Sequence, residues 1–139
     1  MTVVHASIIV RLLQNRRGDD ELRGRFAQYR YVHAPTLIDA EVTSAIRGLL
    51  LTSKISITIS VERAAQMLDD FRDLPLVRYP MQPFQRKVLT LRNNLTAYDG
   101  FYVVLAESLG MPLLTNDHKI ADAAGHSAVI ETWASSGEQ

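Results

Sequence analysis

Cysteine is absent from all 139 residues, which removes a disulfide framework and a thiolate zinc site and is compatible with a reducing cytoplasm. Net charge of either sign is absent too, because fifteen Lys and Arg balance fifteen Asp and Glu. That balance argues against a protein built to coat duplex nucleic acid, which would be strongly basic, yet it leaves room for a local basic rim that neutralises phosphates. No apolar run approaches the roughly 20 residues that cross a bilayer. No basic flank precedes the short apolar run at the N-terminus, so a signal peptide is not expected. Repeats and low-complexity segments are missing as well. What is present is ordinary for a soluble protein: 47% hydrophobic and 22% charged residues, in a length suited to one domain with a real core. The expectation is one domain over residues 1–134 and a polar tail, 135–139, that frays.

Strand-like and helix-like segments alternate along the chain. Residues 2–6 are a short run rich in β-branched side chains, too brief for a helix, and apolar spacing at Ile8, Ile9, Leu12 and Leu13 predicts a helix to about residue 14. A loop at 15–19 leads to a helix over about 20–30, with Asp19 or Asp20 as its cap. Residues 31–34 read as a strand stopped by Pro35. Thr36 then opens a helix whose stripe is Leu37, Ile38, Val42, Ala45, Ile46, Leu49 and Leu50. Ile55, Ile57 and Ile59 alternate as in a strand, but a lone edge strand would lack a partner, so a helix beginning nearby and covering 61–72 is preferred. Further on come a strand at 76–79, a helix at 83–92, a helix from Thr96 or Ala97 ended by Gly110, a strand at 111–115, a helix at 117–124 and a strand at 128–130. This order predicts an α/β domain with a mostly parallel sheet of four or five strands, covered on both faces as three α/β/α layers.

Four polar residues fall where such a sheet delivers side chains to one cleft. His5 and Asp117 sit at or just past strand ends, and Glu41 and Asp99 lie in early helical turns. Gathered carboxylates repel one another unless a cation compensates, and oxygen donors suit Mg²⁺ or Mn²⁺ better than zinc.

The segments Val3-Val4-His5-Ala6-Ser7, Ala34-Pro35-Thr36-Leu37-Ile38-Asp39-Ala40-Glu41-Val42, Leu95-Thr96-Ala97-Tyr98-Asp99-Gly100-Phe101-Tyr102 and Pro112-Leu113-Leu114-Thr115-Asn116-Asp117 occur in that order. Together they make the chain resemble the PIN-domain ribonucleases, specifically the VapC-type toxins of bacterial toxin–antitoxin pairs. The resemblance implies an Mg²⁺- or Mn²⁺-dependent endoribonuclease in which Glu41, Asp99 and Asp117 hold the ion directly or through water. It also implies that Ser7 and Thr115 hydrogen-bond a carboxylate or a metal-bound water. Asp122, a helical turn past Asp117, is a lesser candidate for the same place. The family carries an aspartate where this chain has His5, and a neutral imidazole is a poor Mg²⁺ ligand. The resemblance therefore implies a toxin whose activity is impaired or abolished at position 5. It further implies a homodimer and a cognate antitoxin whose extended segment lies in a groove, for which the apolar helices over 36–51 and 56–72 are candidates.

Plainer readings stand beside these. In isolation His5 would be a satisfied core histidine, Glu41 an exposed helix residue, and Asp117 an ordinary helix cap. Asp39 cannot share a helix face with Glu41. Asp99 suits a first helical turn, where the dipole favours negative charge. Tyr98, Phe101 and Tyr102 read as packing, and His33, His118 and His126 follow no zinc spacing. Arg11, Arg16, Arg17, Arg47, Arg86, Lys87 and Arg92 are candidates for a phosphate-binding rim, and Lys119 follows Asp117 closely enough to place a cation near substrate. The rivals to a nuclease are a catalytically inactive PIN-fold module that binds RNA or protein, and a phosphoryl-transfer domain, which would need an aspartate in place of His5.

Overall fold

Among the described residues five short strands, β1 (Thr2–Val4), β2 (Val32–Pro35), β3 (Leu76–Tyr79), β4 (Leu113–Thr115) and β5 (Ile130–Thr132), pair in the order β3-β2-β1-β4-β5. Every pairing is parallel. The computed structural model describes residues 1–133, so the expected polar tail at 135–139 lies outside the described residues. Cover on both faces explains why every residue of β1, β2 and β4 is buried, with no alternation along the strand.

The strands are joined by α1 (Ala6–Gln14), α2 (Asp20–Ala27), α3 (Leu37–Leu51), α4 (Val61–Asp73), α5 (Gln85–Leu89), α6 (Ala97–Leu109) and α7 (His118–Asp122), with one 3₁₀ turn at Gln82–Phe84. Helices α1, α3 and α4 pack together as one layer, while α5 and α6 pack together and α6 lies against β1, β2 and β4. The three-layer α/β/α arrangement with a parallel sheet follows. Its core is a continuous cluster that includes Val3, Ile8, Ile9, Ile38, Met67, Tyr102, Leu105 and Leu114. Each large apolar side chain fully buried there contributes about 1.5–3 kcal/mol relative to exposure.

Local chemistry explains the ends of several elements. Pro35 belongs to β2 instead of stopping it. The amides of Val32 and Thr36 point toward β3, bonding Pro75 and Tyr79, so the missing N–H of Pro35 faces the side where pairing with β1 has already ended. Gly110 adopts φ 63° and closes α6 as expected. Gly100 lets α6 approach α5, since a Cβ there would meet Val88 Cγ1 at 3.0 Å.

Some boundaries differ from expectation. β1 ends at Val4 because the His5 backbone already serves as the N-cap of α1. The last strand begins at Ile130, two residues later than its composition implies. Residues 56–60 are neither helix nor strand. Ser60 caps α4 by accepting from the Arg63 amide, and the preceding segment is a turn tied to α3 through Ile59 N–H and Leu49 O at 3.2 Å. The alternating isoleucines form no strand, in keeping with the preference for a helix over 61–72, and Ile55 is 90% exposed.

Candidate active site

Strand order reverses between β1 and β4, and their carboxyl ends open the crevice where parallel α/β sheets present ligands. The β1–α1 turn carries His5 and Ser7 to this place, and the β4–α7 turn carries Thr115 and Asp117. From the opposite helical layer, the first turn of α6 brings Asp99. Thr96 caps that helix by accepting from the Asp99 amide at 3.2 Å, and the helix dipole there favours a carboxylate.

His5 is the hub. Its Nδ1 lies 2.8 Å from Ser7 Oγ and also receives the Ser7 amide at 3.4 Å. An amide only donates, so Nδ1 is the acceptor and the proton of the neutral ring sits on Nε2, which faces Asp99 Oδ1 at 3.3 Å. The ring also meets Tyr102 edge-on, with centroids 4.7 Å apart. His5 is thus both a buried, satisfied histidine and a resident of the expected cleft.

Ser7 and Thr115 stitch the two strand-end turns together. Their hydroxyls lie 3.5 Å apart, Ser7 Oγ accepts from the Asn116 amide at 3.4 Å, and Thr115 Oγ1 accepts from the Asp117 amide at 3.0 Å. Among the described residues neither hydroxyl bonds a carboxylate: Ser7 serves His5 and the backbone, and Thr115 serves Ser7 and the backbone.

Glu41 joins this group through Tyr102, whose hydroxyl donates to Glu41 Oε1 at 2.7 Å. Burial, and then that bond, push the Tyr102 phenol far above its ordinary value, so it remains a proton donor. Sequence reasoning assigns Tyr102 to packing alone. The signal that it does more is its place three residues after Asp99, on the same helical face, since a buried tyrosine needs a partner for its hydroxyl. Asp117 turns back on its own helix, where Oδ1 accepts from the Lys119 amide at 2.9 Å, which is the plain capping role. Asp39 is drawn away by Arg78, with Nε 2.9 Å from its carboxylate. Asp122 is exposed on α7.

Mg²⁺ or Mn²⁺ is the expected occupant, and the arrangement does not fit it. Among the described residues no three His, Asp or Glu side chains come together so as to hold a metal ion. Each acid also spends one oxygen on another partner: Asp99 Oδ1 faces an N–H, Glu41 Oε1 accepts an O–H, and Asp117 Oδ1 accepts a backbone amide.

The expected basic rim divides. Arg11 is buried and paired with Asp19, so it is no part of a rim; Asp19 likewise makes no side-chain cap to α2. Arg16 and Arg17 follow the far end of α1, about 13 Å from His5 at 1.5 Å per residue over nine residues. Arg92 and Lys119, by contrast, line a recess of about 360 Å³ that includes Asp99. His33, bonded through Nδ1 to Tyr79 at 2.8 Å, is structural, and burial lowers its pKa. His126 accepts from the Ala128 amide. A larger recess, about 410 Å³, lies between α1, α2 and α4, remote from these acids.

Comparison with known proteins points the same way as the fold. Residues 2–126 match the PIN domain family. The chain is 37% identical over 134 residues to Ribonuclease VapC12 of Mycobacterium tuberculosis, covering 96% of this chain and 100% of that protein. It is 36% identical over 124 residues to Ribonuclease VapC1 of the same organism, covering 88% and 90%. Against VapC ribonuclease Mb0985 of Mycobacterium bovis the identity is 34% over 122 residues, again covering 88% and 90%.

Proposed function

The chain belongs to the PIN-domain family, in its VapC-type branch, and on that premise we propose that it is an endoribonuclease toxin of a toxin–antitoxin pair, weakened at position 5. The single observation that carries the weakened state is the 3.3 Å approach of His5 Nε2 to Asp99 Oδ1. It places a proton donor against the carboxylate that the family's chemistry needs open to a cation. The relatives are named ribonucleases, and the acids Glu41, Asp99 and Asp117 stand in the segments that carry the family resemblance, which supports RNA as the substrate class.

Mg²⁺ or Mn²⁺ is the cofactor proposed for the family's activity, and in this chain its place is compromised by His5 against Asp99 and by the lack, among the described residues, of a three-residue metal group. The residues retain other duties. Asp99 supplies negative charge at the mouth of the crevice, Tyr102 holds Glu41 in position, and the Ser7–Thr115 pair fixes the two turns relative to one another. The proposal is tested by incubating RNA with Mn²⁺ and either this chain or His5→Asp. Cleavage by His5→Asp should exceed that of the parent chain by at least about tenfold, a change of roughly 1.4 kcal/mol in the barrier. Equal rates would overturn the role given to His5. RNA that is bound but left intact by both proteins would favour a non-catalytic binding module, the reading that the lack of a three-residue metal group among the described residues supports.

An antitoxin and a second copy of the chain are the proposed protein partners. Support comes from the exposed apolar side chains Leu51, Ile55, Val61 and Leu68 on and between α3 and α4. A surface patch of that kind is a liability for a protein that remains alone. RNA as substrate also makes the cytoplasm the proposed compartment.

A further inference from the structure

We propose that single-stranded RNA crosses the N-terminus of α6, stacking a base on Tyr98 on one side of Asp99 and seating a phosphate between Arg92 and Lys119 on the other. This rests on the ribonuclease reading and adds the route and the strandedness of the substrate.

Two recesses flank the start of α6. The first, about 360 Å³, is lined by Arg92, Asn93, Asn94, Asp99 and Lys119. Among the described residues neither the Arg92 guanidinium nor the Lys119 ammonium meets a carboxylate; Arg92 spends one N–H on the Leu89 carbonyl at 3.1 Å. By contrast Arg11, Arg23, Arg25, Arg72 and Arg78 are all paired with acids. Two uncommitted cations facing one recess offset Asp99 and leave a net positive charge for phosphate. Asn93 and Asn94 add side-chain amides that both donate and accept, suited to sugar hydroxyls and base edges.

The second recess, about 270 Å³, holds Glu41 beside Leu37, Ala40, Ser44 and Tyr98. Tyr98 is 63% exposed although it adjoins Asp99 in the chain. An aromatic ring presented to solvent beside the acids offers a sequence-tolerant platform for an unstacked base. A duplex hides its base faces in its own stack, so this platform selects single strands, loops or ends.

The test is fluorescence anisotropy of a short labelled single-stranded RNA with the full chain in EDTA, across a series of NaCl concentrations. Arg92→Ala and Lys119→Ala should each weaken binding and reduce the log–log salt slope by about 0.7, the value for one fewer phosphate neutralised on a single strand. Tyr98→Ala should weaken binding about tenfold with the slope unchanged, whereas Tyr98→Phe should bind as the parent does. Arg30→Ala, at an exposed cation just before β2, should have no effect. Arg92, Lys119 and Tyr98 are all exposed, so circular dichroism should confirm folded variants. Binding by the parent chain with unchanged affinity and slope in Arg92→Ala and Lys119→Ala overturns this route alone. No binding by the parent chain overturns the ribonuclease reading with it. Equal affinity for a blunt RNA duplex removes the role of Tyr98.

Discussion

Helix α1 has a polar cluster at each end, and the two differ in kind. At its C-terminal half, Arg11 and Asp19 form a closed, two-pronged pair, 2.9 and 3.2 Å, with side chains 8% and 1% exposed. At its N-terminus, His5, Ser7, Thr115 and Asp99 are joined mostly across 3.3–3.5 Å, and Asp99 is 22% exposed. The first cluster is saturated and sealed, so its work is to hold α1 to the loop before α2. The second holds a carboxylate with capacity left over, at the crevice where a ligand can reach it. Polar residues near a sheet are therefore sorted by completeness of pairing more than by charge.

The sharpest way to break that contrast is Arg11→Ala. Stranding Asp19 in the interior should cost about 3–5 kcal/mol in urea unfolding, since a lone buried charge is left without its partner. Replacing both residues by apolar ones of similar volume should recover most of that stability. A cost near zero for Arg11→Ala would mean the pair is no more structural than the open cluster. At the other end, His5→Asp should lower metal-free stability by about 1–2 kcal/mol, because a bonded donor next to Asp99 becomes a like charge. A higher metal-free melting temperature for His5→Asp would contradict the geometry given to His5.

At neutral pH the smallest expected effect is that of the Tyr102 proton, which shows only on the alkaline side. Burial, and then Glu41, raise the Tyr102 phenol above the ordinary tyrosine value of about 10. Its contribution is fully present below that value and falls as pH rises past it, because the unfolded chain releases this proton while the folded chain keeps it. The decline approaches about 1.4 kcal/mol per pH unit. Tyr102→Phe should remove this component of the alkaline slope, whereas Tyr98→Phe, at an exposed ring, should leave it intact. Identical slopes in both variants would show that Tyr102 ionises freely.

Much of this is legible in the chain. The strand at 76–79 and the helix from Thr96 to Gly110 are readable because a following proline, a threonine cap and a terminal glycine act within a few residues. The arrival of His5, Asp99 and Thr115 at one crevice follows from strand-end logic. The segment around Ile57 alternates without being a strand, because alternation has meaning only where a neighbouring strand exists, and the helix preferred after it is α4. Asp117 reaches the expected edge, but its carboxylate is claimed by the nearest free amides of α7.

By itself, then, the sequence determined the order of strands and helices, the parallel layering and the positions of the acids along the chain. Those depend on backbone sterics and apolar spacing, which act over one or two turns. Only the tertiary structure decided which heteroatom meets which: His5 with Asp99 across 94 residues, Tyr102 with Glu41 across 61. Such pairings depend on how the helical layers settle on the sheet, and an ångström there separates a committed carboxylate from an open one.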